Sequence, residues 1–70
     1  MDRESVSSSS NITSIGYDHN SETLEIEFHN GGVYQYFDVP QGVYEGLMAA
    51  DSYGSYLAAN VKGVFRFSKV

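Results

Sequence analysis

The sequence contains no cysteine, no tryptophan and a single proline. Because cysteine is absent, this chain has no disulfide bond, no thiolate metal ligand and no cysteine nucleophile. No apolar run approaches the roughly 18 residues that a membrane-spanning helix requires, so we expect no membrane contact. The N-terminus is polar and unlike a secretory signal, and we therefore expect a cytoplasmic protein.

Basic residues are also scarce, because 4 Lys and Arg stand against 9 Asp and Glu and give a formal net charge of −5. This balance argues against binding nucleic acid through the overall electrostatic field. The acidic residues all lie at or before Asp51, whereas Lys62, Arg66 and Lys69 lie after it. This basic C-terminal edge either pairs with the acids of the same chain or faces a partner.

The length of 70 residues sets a limit of one domain. Residues 1–10 contain five serines and a single apolar residue after Met1. Such a segment buries too little apolar surface to offset its ordering entropy, so we predict a disordered N-terminal tail. Residues 11–70 are then a single α+β domain whose small core draws on 6 Tyr and 4 Phe.

The clearest local pattern is a strict alternation of apolar and acidic residues over 23–28. Alternation with a period of two is typical of a strand with one buried face and one wet face. The apolar side consists of Leu24, Ile26 and Phe28, and the acidic side of Glu25 and Glu27. We expect another strand within 11–18, in which the out-of-phase Ile12 indicates a bulge or a late start.

The run Asn30-Gly31-Gly32 predicts a hairpin turn, and residues 33–37 predict the returning strand. The length of the turn decides which face of the sheet Tyr34 and Tyr36 occupy. A two-residue turn places both tyrosines beside the glutamates. A three-residue loop with a glycine bulge places them on the apolar side, and the extra glycine favours this second register.

The rest of the chain predicts two short helices followed by a strand. Pro40 suits a helix start and precedes an amphipathic segment over 41–50, while Ser52 suits the cap of a second helix over 53–61. Residues 64–70 alternate as a final strand, whose partner the pattern does not fix. The predicted fold is therefore β-β-β-α-α-β, an antiparallel three-stranded meander with the helices packed on one face of the sheet.

No constellation in the sequence indicates catalysis. His19 and His29 fall in separate turns, where convergent catalytic or metal-binding partners are not expected. Glu25 and Glu27 share a strand face that we expect to be solvated, which does not suit acid–base work. The N-terminal serines have no neighbouring base. We therefore predict a protein that is not an enzyme and has no metal and no cofactor.

The tyrosines allow two interpretations. In the first, they form the core of a domain without tryptophan, and their hydroxyls reach its rim. In the second, they form a stacking platform for single-stranded bases, flanked by basic residues. We favour the first, and the second defines the candidate binding residues Tyr34, Tyr36, Lys62, Arg66 and Lys69.

Short motifs along the chain also resemble those of a known family. They are Ser8-Ser9 through Ile12, Ile15-Gly16-Tyr17-Asp18, Leu24-x-Ile26-x-Phe28, Gly31, Tyr34-x-Tyr36, Val39-Pro40, Tyr44, Leu47, Ala50-x-Ser52-x-Gly54-x-Tyr56 and Val61-Lys62. Together they resemble the KTSC domain, which is named for a C-terminal extension of some lysyl-tRNA synthetases and also occurs as stand-alone small proteins. The resemblance implies a short α+β domain of undefined biochemical function, for which RNA binding has been suggested from its attachment to a tRNA-charging enzyme. The chain departs from the family at Leu57-Ala58, where an aromatic residue followed by Asn is frequent.

The leading functional hypothesis is a non-enzymatic binding module of the KTSC type that contacts RNA. The alternative is a module that contacts protein, including a second copy of the chain as a homodimer. A small enzyme is a third hypothesis, for which the sequence offers only scattered His and Glu.

Overall fold

Every strand of the sheet pairs with its neighbour in chain order, so the chain builds the sheet from one edge to the other. A computed structural model describes residues 1–6 and 11–70. Within them, the elements are β1 (Arg3–Ser5), β2 (Ile12–Asp18), β3 (Thr23–Phe28), β4 (Val33–Tyr36), α1 (Gln41–Met48), α2 (Tyr53–Asn60) and β5 (Phe67–Lys69). The sheet order is β1-β2-β3-β4-β5, and all four pairings are antiparallel. Neither described helix is long and apolar enough to cross a membrane.

The predicted meander is confirmed, including its irregular start. The β2–β3 register shifts between Ile12 and Ser14, which leaves Thr13 as an extra residue on β2. This bulge turns Ile12 onto the face that already carries Ile15, and both side chains are buried. The out-of-phase isoleucine in the sequence is therefore a core residue.

The β3–β4 hairpin has the three-residue loop that the extra glycine favoured. Gly31 has a φ of +89°, and the Phe28 amide donates to the Gly32 carbonyl at 2.9 Å. The resulting register sets Tyr36 opposite Leu24 and Tyr34 opposite Ile26. Both tyrosines therefore lie on the apolar side of the sheet.

The two helices cover that same apolar side. Helix α1 ends two residues before the predicted boundary, and Pro40 is its cap residue. Helix α2 begins as predicted, because the Ser52 side chain accepts a hydrogen bond from the Ser55 amide at 3.2 Å. The core that forms between helices and sheet contains Ile12, Ile15, Leu24, Ile26, Tyr36, Val39, Leu47, Leu57 and Val61.

The N-terminus differs from the predicted disordered tail. Arg3–Ser5 forms β1, which pairs with the edge of β2, and the Val6 amide continues the pairing by donating to the Thr13 carbonyl at 2.9 Å. Val6 also packs against the core. Composition missed this strand because the stabilising contacts come from distant residues. The rest of the predicted tail, 7–10, lies outside the described residues.

The face of β3 that carries Glu25 and Glu27 is less exposed to solvent than predicted. Glu25 is 9% exposed, because the Arg3 guanidinium lies 2.6 Å from one carboxylate oxygen and the Gln35 amide donates to the other at 2.8 Å. Glu27 is half-buried and accepts a hydrogen bond from the Ser14 hydroxyl at 2.9 Å. The face without helices is therefore a bonded polar layer.

The C-terminal strand is shorter than predicted. The chain leaves α2 through a turn in which the Val64 and Phe65 amides both donate to the Val61 carbonyl. Gly63 has a φ of +78° in this turn. Regular pairing is therefore confined to β5, which closes the sheet by pairing with β4.

Two alanine substitutions in α1 form a matched test of the helix packing. At Gly42 a Cβ would meet nothing within 4 Å, so Gly42→Ala gains helix propensity, at most about 1 kcal/mol because the residue lies in the first turn. At Gly46 a Cβ would lie 2.9 Å from Tyr56 Cζ, and moving that ring costs about 1–3 kcal/mol. Urea denaturation should show that Gly42→Ala raises the free energy of unfolding and Gly46→Ala does not. Equal stabilisation by both would contradict the close contact.

Candidate functional site

The helices leave one corner of the apolar sheet face uncovered. There, the β3–β4 hairpin, β5 and the segment after α2 enclose a groove of about 660 Å³. Its aromatic lining residues are Phe28, Tyr34, Tyr36 and Phe67. We refer to it as the aromatic groove. Its volume is within the range of sites that bind small ligands.

The rings of the groove form a continuous series across three strands. Tyr34 is central, with its ring centroid 5.6 Å from that of Phe28 at 80° and 5.9 Å from that of Phe67 at 51°. Phe67 also lies 5.8 Å from Tyr36, and it is 59% exposed. Such an exposed ring offers a face on which a flat ligand can stack.

Positive charge lies next to these rings. Lys62 follows α2 and places Nζ 5.1 Å from the centroid of the Phe28 ring. Lys69 lies opposite Tyr34 in the β4–β5 register, and therefore on the same face. None of the described residues that line the groove is acidic. The groove therefore combines aromatic faces with a cationic rim.

Polar groups of the β3–β4 hairpin and of the residue before β2 complete the lining. His29 Nε2 lies 3.2 Å from the Ile12 carbonyl oxygen, which fixes the imidazole at the end of β3. The Asn30 side-chain oxygen accepts a hydrogen bond from the Gly32 amide at 2.8 Å. Asn11 is the remaining polar residue on this side. These groups place polar side chains at one end of the groove.

The five predicted binding residues fall into two places. Tyr34, Tyr36 and Lys62 line the groove, and Lys69 lies beside it. Arg66 lies elsewhere: its guanidinium is 2.8 Å from an Asp38 carboxylate oxygen and 5.7 Å from the centre of the Phe37 ring. The basic C-terminal edge therefore divides between an internal pair and the groove.

Sequence reasoning missed Phe28, His29 and Phe67 as site residues. Phe28 was assigned only to the apolar side of its strand, and the partner of the last strand was unknown. The pairing of Tyr36 with Phe67 brings the last strand to the groove. This pairing spans two helices, and no local pattern encodes it.

The two tyrosines have different surroundings. Tyr36 is 4% exposed and belongs to the core, whereas Tyr34 is half-buried. Desolvation of the Tyr36 hydroxyl raises its pKa above the ordinary value of 10.0, and the neighbouring Tyr34 adds a smaller effect in the same direction. Tyr36 therefore supports the groove from below, and Tyr34 forms its surface.

The two histidines also lie in different surroundings. His19 contacts Tyr17 edge-on at 4.9 Å between centroids, and Tyr17 stacks on Tyr44 at 4.7 Å. His29 lines the groove. Across residues 1–6 and 11–70, no group of three or more His, Cys, Asp or Glu could hold a metal ion.

This architecture defines a small α+β domain with a five-stranded antiparallel sheet and two helices on one face. The family model described as "KTSC domain" matches residues 8–65. The chain therefore belongs to the KTSC domain family, as its motifs predicted.

Relatives of the chain include both long and short proteins. It is 41% identical over 59 residues to a lysine–tRNA ligase of Nostoc punctiforme, and the match covers 84% of this chain but 10% of the ligase. An uncharacterized protein of Stutzerimonas stutzeri is 44% identical over 48 residues, which is 69% of this chain and 68% of that protein. The chain thus spans about a tenth of the ligase and most of the shorter relative.

A solved structure has the same fold. The crystal structure of a KTSC domain protein from Yersinia pestis superposes with a TM-score of 0.95 at 42% sequence identity. The superposition covers 99% of this chain and 96% of the other. The match therefore includes β1, which precedes the region that the family model covers.

Alanine at each tyrosine should separate core from surface. Tyr36→Ala removes a ring that is 4% exposed and should lower the free energy of unfolding by about 3–5 kcal/mol. Tyr34→Ala removes a half-buried ring and should cost about 1–2 kcal/mol, because less apolar area is lost. Urea denaturation monitored by circular dichroism measures both. Equal losses would contradict the difference in burial.

The raised pKa of Tyr36 predicts a loss of stability at alkaline pH. The folded state favours the neutral hydroxyl, so its contribution is complete below the unfolded pKa of about 10 and is lost as pH rises through the folded pKa. Tyr36→Phe has no proton to lose at this position. Its free energy of unfolding should therefore fall less than that of the parent between pH 9 and pH 11 (roughly one unit either side of the unfolded tyrosine pKa). If the free energies of unfolding of the parent and of Tyr36→Phe fell in parallel with pH, the raised pKa of Tyr36 would be contradicted.

Proposed function

We propose that this chain is a non-enzymatic binding module that holds a short segment of single-stranded RNA in the aromatic groove. The observation that carries this proposal is the series Phe28, Tyr34 and Phe67 beside Lys62. Aromatic rings on a sheet face can stack on unpaired bases, and a neighbouring ammonium group can contact a phosphate.

The separation of charge in the domain supports an anionic ligand despite the net charge of −5. Glu25 and Glu27 lie on the opposite face of the sheet and contact Arg3 at 2.6 and 3.6 Å. Their carboxylates therefore do not face a phosphate in the groove. Because Lys62 and Lys69 are the only basic residues near the rings in the described part of the chain, long-range attraction is weak and contact at short range must supply the affinity.

The size of the groove sets the length of the ligand. A volume of about 660 Å³ suits one or two nucleotides. Each stacked base contributes about 1–3 kcal/mol, so two bases reach about 6 kcal/mol at most. This corresponds to a dissociation constant of tens of micromolar at best. The module is then suited to assist a larger RNA-binding protein rather than to bind tightly by itself.

The relatives support RNA as the nucleic acid. Lysine–tRNA ligase of Nostoc punctiforme, by its name, acts on a tRNA, and a segment of it matches 84% of this chain. A domain carried in such a protein meets RNA at high local concentration, where weak contacts add to the affinity of the rest.

Protein binding is the second candidate, and the edge formed by β5 is the observation that favours it. Val64, Phe67 and Val70 are exposed large apolar residues on or next to this edge strand. An exposed edge with apolar side chains can pair with a strand of another molecule. A homodimer formed through β5 would cover Phe67 and close the aromatic groove.

Fluorescence anisotropy with labelled single-stranded RNA of about six nucleotides tests the RNA proposal at low salt. Phe67→Ala should weaken binding by about 5- to 150-fold, the equivalent of one lost stack. Lys62→Ala should weaken it less and lower the salt dependence by about 0.7, the expected slope for one phosphate contact on a single strand. Arg66→Ala removes the same charge outside the groove and is the matched control, with affinity unchanged.

Two outcomes would contradict the RNA proposal. One is the absence of saturable binding at low salt. The other is an equal loss of affinity in Lys62→Ala and Arg66→Ala, which would indicate a contact without a defined site. Light scattering on the same samples addresses the second candidate, because a dimer that Phe67→Ala dissociates would favour protein binding.

A further inference from the structure

A row of residues crosses four strands on the sheet face opposite the helices. The registers set Arg3 opposite Gly16, Gly16 opposite Glu25, and Glu25 opposite Gln35. Residues that lie directly opposite each other share a face of the sheet. The side chains of this row therefore form a line from the edge strand β1 to β4.

Gly16 leaves an opening in this row. A Cβ at position 16 would lie 2.6 Å from the Asp2 carbonyl oxygen and 2.7 Å from Arg3 Cγ. Because that space is free, the Arg3 side chain crosses β2 and reaches β3. Its guanidinium lies 2.6 Å from one Glu25 oxygen and 3.6 Å from one Glu27 oxygen.

The Glu25 and Glu27 carboxylates that contact Arg3 are also hydrogen-bonded to residues outside β1. Gln35 donates to the second Glu25 oxygen at 2.8 Å, and Ser14 donates to Glu27 at 2.9 Å. Glu25 is 9% exposed. The two carboxylates are therefore positioned by β2, β3 and β4, whichever segment supplies the guanidinium. We call Gly16, Glu25 and Glu27 the arginine socket.

The strand that fills the socket is short. All three residues of β1 are exposed, and Val6 is the described residue of the N-terminal segment that packs against the core. The family model begins at residue 8 and so covers the socket but not β1, whereas the superposition on the Yersinia pestis structure includes both. Few hydrogen bonds hold a three-residue edge strand, so such a strand opens locally at a low cost in free energy.

We propose that the β2 edge and the arginine socket together form a docking site for an extended, arginine-bearing segment of a partner protein, a site that β1 occupies within this chain. The partner's backbone adds a strand to β2, and its arginine crosses Gly16 to reach Glu25. Strand addition supplies affinity through main-chain hydrogen bonds and specificity through a pocket for one side chain. The two carboxylates select a cation, and the forked guanidinium reaches both of them. This site is on the opposite face from the aromatic groove and does not depend on the RNA proposal.

The test uses the full chain carrying Arg3→Ala, which keeps the socket and weakens its own strand. A synthetic peptide with the sequence of residues 1–6 is titrated into the ¹⁵N-labelled variant, and amide shifts are followed along β2. We expect saturable shifts from Thr13 to Gly16. The same peptide with alanine in place of arginine should bind at least tenfold more weakly. If Arg3→Ala does not fold, the peptide is titrated into the Arg3→Lys variant instead. This variant keeps the positive charge but lacks the forked guanidinium group.

Substitutions within the arginine socket test whether the peptide arginine binds there. Adding Glu25→Gln should remove the preference for the arginine peptide, because the paired carboxylate is lost. Adding Gly16→Ala should block both peptides, since the new Cβ occupies the space of the arginine stem. Adding Gly42→Ala is the matched glycine control and should leave binding unchanged.

Three results of the peptide titrations would overturn the proposal. They are no saturable shift at millimolar peptide, equal binding of the arginine and alanine peptides, and shifts that survive Gly16→Ala. Self-association of the Arg3→Ala chain at the β2 edge, detected by light scattering, would also overturn it, because the occupant would then be a second copy of the chain.

Discussion

The three-residue loop of the β3–β4 hairpin is the constraint on which the rest of the structure depends. Gly31 adopts a φ of +89°, and this geometry sets Tyr34 and Tyr36 opposite Ile26 and Leu24. A shift by one residue would transfer both rings to the face that carries Glu25. The core would then lose Tyr36 and the aromatic groove would lose its central ring. The conformation of Gly31 thus determines both which ring enters the core and which ring lies at the centre of the aromatic groove.

The two faces of the sheet keep opposite chemistries apart. One face has carboxylates bonded to Arg3, Ser14 and Gln35, and the other has aromatic rings beside Lys62. Successive side chains of a strand point to opposite faces of the sheet, so the backbone layer lies between the carboxylates and the rings. An acidic chain can therefore carry a groove whose described lining residues include no Asp or Glu.

The parts of the fold that sequence predicted are those set by local patterns. Alternation over β3, the double glycine and the Ser52 cap predicted the meander, the face of the tyrosines and the second helix. The N-terminal strand and the pairing of β5 with β4 depend on residues far away in the chain, and no periodic signal encodes such pairings. For the site, Tyr34, Tyr36 and Lys62 were predicted from residue type. Phe28 and Phe67 were not, because their convergence follows from β5.

The order of the strands has a consequence for longer proteins that carry this domain. Because the sheet follows chain order, its two edges coincide with the two ends of the chain. A polypeptide joined before Met1 would continue from β1, the edge strand that contributes Arg3 to the polar face. One joined after Val70 would continue from the strand that contributes Phe67 to the groove. In a fusion, the choice of terminus therefore decides which edge of the sheet the added protein lies next to.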